Sequence, residues 1–114
     1  MMDTNTIQTE LEKIKESLDA LIEPWATAKA ENSKHDELKK IKLALIMETY
    51  TGSEAAKKSK ALVDPSYIEY INEERYVVER EFYILDAQKR GKEQRVDVLR
   101  SLLSFNKVRV EHEI

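Results

Sequence analysis

The residues whose types and spacing suggest a task are lysines. Lys39, Lys40 and Lys42 form one cluster and Lys57, Lys58 and Lys60 another, on either side of Gly52. If the chain folds back at that glycine, the two triplets can face one groove. Such a surface holds a phosphate backbone by Coulomb attraction and counterion release, without reading bases. Lys89, Arg90, Lys92 and Arg95 form a second basic patch that continues to Arg100, Lys107 and Arg109. On one helix these side chains do not all share a face, and salt bridges to acidic neighbours of another subunit are an equal reading. Tyr67, Tyr70, Tyr76 and Tyr83 offer ring faces on which bases stack, but packing in a core or interface is the preferred reading for them.

Other chemistries find little support. His35 and His112 lie in highly charged contexts near expected helix ends, and neither has the nucleophile and orienting group that a catalytic base requires. Glu69 and Glu73 have the i, i+4 spacing of a metal-binding helix but no histidine to complete a site, so a solvated acidic face is preferred. The two glycines are thirty-nine residues apart, which excludes a glycine-rich phosphate cradle, and the absence of cysteine excludes thiolate chemistry and disulfides. The expectation is a non-enzyme with no catalytic residues, no metal and no cofactor.

The elements that must carry these residues are helices. Charged residues make up 36% of the 114-residue chain, and Gly and Pro occur only twice each, too few for the turns of a sheet protein. The net charge of −3 is segregated: residues 1–33 carry −4, residues 34–63 carry +3, residues 64–87 carry −5, residues 88–110 carry +5, and Glu111 with Glu113 carry the last −2. Position along the chain therefore says more about partners than the total does. The start of the chain is polar and acidic, unlike a signal peptide, and no stretch has the length of a membrane span. A cytoplasmic protein without membrane contact is expected, in the host cell if the chain is phage-encoded.

Ile7, Leu11, Ile14, Leu18, Leu21 and Trp25 alternate in steps of four and three, the seam of a coiled-coil helix. Pro24 lacks a backbone donor and is expected to kink or end this helix, which is placed at about residues 5–30. Ser33 with Asp36 reads as the cap of a second helix, which opens a helix-turn-helix over about 34–62. Gly52 closes that helix, and Ser53 caps the short one after it. Asp64 followed by Pro65 reads as an N-cap and first helical position, opening a long helix over about 65–110. Its seam is Ile68, Ile71, Arg75, Val78, Phe82, Leu85, Lys89, Lys92, Val96, Leu99, Leu103, Asn106 and Val110, with a bend or fraying expected at Gly91. The architecture expected is all-α: one domain, an elongated helical hairpin or bundle with a long C-terminal coiled-coil-like helix. Because so short a chain is too small to cover the narrow seams of both long helices, a homo-oligomer is expected. Its interface would be formed by Ile7, Leu11, Ile14, Leu18, Leu21, Trp25, Phe82, Leu85, Leu99 and Leu103.

The run Lys39-Lys40-Ile41-Lys42-Leu43, continuing to Met47-Glu48-Thr49-Tyr50-Thr51-Gly52, and the later Val63-Asp64-Pro65-Ser66 resemble the UvsY-type recombination mediators of tailed phages. Val98-Leu99-Arg100-Ser101-Leu102-Leu103-Ser104-Phe105 looks like the tail of other small all-helical proteins of tailed phages. The resemblance covers roughly residues 35–70. It implies an all-helical oligomer that binds single-stranded DNA and helps to load a recombinase onto strands covered by single-strand-binding protein. The leading expectation is therefore a mediator whose surface around Lys39 to Lys60 holds the strand. The alternative is an oligomeric helical interaction module, a phage adaptor or inhibitor of a host protein. In that reading, acidic residues 64–87 dock on a basic partner and no DNA is bound.

Overall fold

In the computed structural model the backbone is described for residues 3–113 and side chains for residues 3–108. Arg109 of the basic stretch, Val110 of the seam and His112 thus lie outside the described side chains. The chain is all-helical, with no strand among the described residues: α1 (Thr4–Met47), α2 (Glu54–Leu62), α3 (Pro65–Tyr70), a π-turn (Ile71–Arg75) and α4 (Tyr76–Glu113). No helix among the described residues is long and apolar enough to cross a membrane. The chain divides into two compact units, one formed by residues 1–25 with 85–114 and the other by residues 26–84.

Two expected helix ends are not found. Pro24 sits inside α1, and no helix ends at residues 30–34, where Ser33 caps nothing. A proline inside a helix removes one backbone hydrogen bond and costs about 3 kcal/mol, so packing on either side must offset it. That packing is visible as continued three-and-four spacing. After Trp25 come Ala28, Asn32, His35, Leu38 and Lys42, every one of them buried or half-buried. The polar residues among them are inward positions of an unbroken seam, and none of them is a helix breaker. Gly91 is likewise helical, within α4.

In the first unit the N-terminal part of α1 lies antiparallel to the C-terminal part of α4. Ile7 and Leu99 are fully buried against each other's cluster with Leu11 and Val96, and Ile14, Leu18, Leu102 and Leu103 pack around them. Each such aliphatic side chain contributes about 1.5–3 kcal/mol when removed from water. Two links flank this core: Arg95 to Glu10 at 2.9 Å and the Trp25 Nε1–H donated to Asp86 at 3.0 Å. The seams therefore cover each other within one chain. Ile7, Leu11 and Leu99, expected at an oligomer interface, are core residues within one chain.

In the second unit a second core, Ile46, Ala61 and Tyr67, joins the end of α1 to α2 and α3, with Leu43, Met47, Tyr50 and Ile71 packed on it. The reversal between α1 and α2 runs through Gly52 at φ +123, a conformation that side chains rarely adopt. Ser53 then caps α2 by accepting from the Ala56 N–H at 3.2 Å. Asp64 caps α3 through the Ser66 N–H at 2.9 Å, with Pro65 at the first turn, as the sequence predicts. The same carboxylate accepts from the Tyr50 hydroxyl at 2.6 Å, which ties the end of the α1 turn to the start of the long helix.

Two outcomes follow. Leu99→Ala leaves a cavity in the first core and is expected to destabilise by about 2–5 kcal/mol in denaturant unfolding, against less than about 0.5 kcal/mol for exposed Val98→Ala; equal effects would mean that this core does not hold α1 to α4. The second concerns pH. The Tyr50 hydroxyl, then the Ser66 N–H, lower the Asp64 pKa from 3.8, so its contribution is present above that value and is lost as acid protonates the folded carboxylate. Tyr50 is raised above 10.0, chiefly by the same hydrogen bond, so its contribution is present below 10.0 and lost as pH rises through the raised value. Thermal melts from acid to alkali should thus show Tyr50→Phe losing most of its deficit against the parent at both extremes.

Candidate functional site

Because α2 folds back on the end of α1, both lysine triplets belong to the second unit. Lys39, Lys40, Lys58 and Lys60 are exposed, while Lys42 and Lys57 are half-buried along their aliphatic stems. Lys40 lies 3.4 Å from Glu37 and Lys57 3.9 Å from Glu54, long pairs in solvent that neutralise little. Among the described residues, Lys39, Lys58 and Lys60 have no carboxylate within ion-pair distance.

The second basic patch looks different. Lys89 pairs with Glu93 at 2.7 Å and lies 4.5 Å from the centre of the Trp25 ring, where the cation–π attraction adds to the pair. Arg90 pairs with Asp86 at 2.9 Å, and Arg95 with Glu10. Lys92 is half-buried beside Ile14 and Leu21. Three of its four cations thus already have carboxylate partners in the first unit. These bridges join residues of the same chain, whereas the expected ones were to acidic residues of another subunit.

The tyrosines divide by position. Tyr67 and Tyr70 are buried, and burial is the main cause that raises both phenols above their ordinary pKa. Tyr76 and Tyr83 are exposed. Tyr70 stacks on His35 with ring centres 6.2 Å apart, and its hydroxyl lies 3.2 Å from the His35 Nδ1. His35 is thus a packed side chain of α1 facing α3. Among the described residues no group of three or more His, Asp or Glu side chains is placed to hold a metal ion.

The seam of the long helix holds from Ile71 to Asn106, where every predicted position is buried or half-buried. It fails at Ile68, which is 44% exposed, and Tyr67 takes the inward place. The inward steps at this end are Tyr67, Ile71 and Arg75, four and four instead of four and three. One residue too many for an α-helical seam is absorbed by the π-turn at Ile71–Arg75. At its end Arg75 is only 7% exposed, and its guanidinium donates to Asn32 at 2.7 Å and Asp36 at 2.5 Å on α1. The signal was present in the sequence as an arginine in an apolar register facing two polar residues one helical turn apart.

The π-turn also shapes a concavity of this unit. Leu38, Ile41 and Leu45 on α1 face Glu69, Glu73 and Glu74 across a groove of about 580 Å³, with Lys42 also at its wall. Ile41 and Leu45 remain 54% and 56% exposed. Spacing alone does not locate this groove, because only the packed pair of helices creates it.

The Arg75 bridge can be measured by a double-mutant cycle. Asp36→Ala and Arg75→Met are each expected to destabilise, with a coupling of about 1 kcal/mol or more in urea unfolding; additive effects would show that the bridge does not hold the π-turn. Comparison of the chain with protein families, curated proteins and solved structures finds no match.

Proposed function

We infer that this is a non-catalytic, helical single-stranded-DNA-binding protein of the recombination-mediator kind. In this reading the strand lies along the lysines that bracket the Gly52 turn and is held by its phosphates, and the bound protein assists recombinase loading on strands covered by single-strand-binding protein. The observation that carries the reading is the contrast between the two basic regions. Lys39, Lys58 and Lys60 keep their charge uncompensated on the second unit, whereas Lys89, Arg90 and Arg95 have carboxylate partners. Uncompensated cations release counterions when phosphate arrives, and that release is the main source of affinity for a strand bound without sequence preference. Exposed Tyr76 and Tyr83 are the rings available for stacking on bases. The resemblance of residues 35–70 to UvsY-type mediators points the same way. Several copies on one strand would multiply a weak individual affinity, which suits a chain of net charge −3.

The test is anisotropy of a labelled oligo-dT strand titrated with the protein at several salt concentrations. Affinity is expected to fall steeply with salt. Replacing Lys39, Lys58 and Lys60 together by alanine should weaken binding and reduce the logarithmic salt slope by about 2, at about 0.7 per single-strand phosphate contact. Lys89→Ala with Arg90→Ala should leave both almost unchanged. Absence of binding at the lowest salt, or equal loss from both sets, would overturn the assignment.

A further inference from the structure

The groove in the second unit is unsuited to DNA, since three carboxylates line it, yet it has the features of a helix-docking surface. On α1, Leu38, Ile41 and Leu45 repeat at three and four residues, the spacing at which one helix presents a stripe to another. Two of them remain more than half exposed. Opposite stand Glu69, Glu73 and Glu74, and among the described residues none of the three is within ion-pair distance of a cation. Two of these glutamates sit on the π-turn, an element that costs hydrogen-bond geometry and recurs at functional sites. The Arg75 bridge holds that turn in place.

We propose that this groove binds a cationic amphipathic helix of a different protein, whose apolar stripe packs on Ile41 and Leu45 while lysines or arginines along one flank meet Glu69, Glu73 and Glu74. The charge decides the occupant. An acidic or neutral helix would leave the carboxylates unanswered or repelled, whereas a basic flank gains attraction and orientation from them. A second copy of this chain is a poor fit. Over residues 88–108, the basic stretch of α4, the exposed large apolar side chains are Val98, Phe105 and Val108, with Gln94 and Ser101 beside them, while Arg100 and Lys107 project from the other side of the helix. The inference does not depend on DNA binding.

The probe is a fluorescein-labelled eighteen-residue synthetic peptide with leucines at helical spacing and lysines along one flank, titrated with the full chain and read by anisotropy. Saturable binding is expected, and the same peptide with glutamate for lysine should not bind. Ile41→Ser keeps every carboxylate and should weaken binding about tenfold, as should Glu69→Gln combined with Glu73→Gln. Circular dichroism melts confirm that each variant is folded, and Leu45→Ser serves in place of Ile41→Ser if that variant is not. Absence of binding at low salt overturns the proposal, and so does binding indifferent to Ile41→Ser, which would mean charge attraction without a groove. Light scattering provides a separate arm: a mass that drops on Ile41→Ser would assign the groove to a second copy of the chain and overturn the proposal equally.

Discussion

One buried guanidinium governs the arrangement of the second unit. Arg75 takes an inward place in the seam of the long helix where an apolar residue would ordinarily stand, and a charge taken out of water is tolerable only if it is paired and hydrogen-bonded. Asn32 and Asp36, one turn apart on α1, supply that pairing. To reach them while Tyr67 and Tyr70 also face inward, the helix must accommodate an additional residue, and the π-turn is how it does so. The stacking of Tyr70 on His35 and the packing of Tyr67 on Ile46 and Ala61 depend on the same register. The groove beside Ile41 and Leu45 is then what remains between two helices held in this register.

The reversal that brings α2 back is governed by a different kind of constraint. Gly52 takes a positive φ, Ser53 and Asp64 satisfy helix-start donors, and Pro65 occupies a position where its missing N–H is no loss. The hydrogen bond from Tyr50 to Asp64 connects the two ends of this excursion, so a single carboxylate serves as helix cap and as tether. This geometry puts the lysines of α1 and α2 on one unit, the arrangement on which the proposed strand binding rests.

The alternating charge blocks resolve into two distinct roles. In the first unit Lys89, Arg90 and Arg95 of α4 are answered, by Glu93 and Asp86 one turn away and by Glu10 on α1. In the second unit lysines and glutamates remain separately exposed, the lysines around the turn and the glutamates along the groove. Unanswered charge of both signs lies on one unit, and the two proposals rest on it at different places, the lysines for an anionic strand and the glutamates for a cationic helix. Net charge conceals this, because it sums the answered and unanswered charges alike.

The sequence by itself determined the helical class, the Gly52 turn, the Ser53 and Asp64 caps, the seam of the first twenty-five residues and the seam from Ile71 to Asn106. These depend on local backbone preference and on periodicity, and both are written in neighbouring residues. Tertiary structure decided the rest. Pro24 and the polar residues around Asn32 read as a break because local rules count a missing donor and polar side chains against a helix; only the partners across the unit, Tyr70 and Arg75, show that Asn32 and His35 are inward positions of a continuous α1. The same holds for the seams: spacing marks Ile7 and Leu11 as inward, and only the packed structure shows that Val96 and Leu99 meet them. Pairings between residues some ninety positions apart, like the Glu10 to Arg95 contact, leave no mark on local spacing, since each residue's pattern records that it is buried and not what buries it.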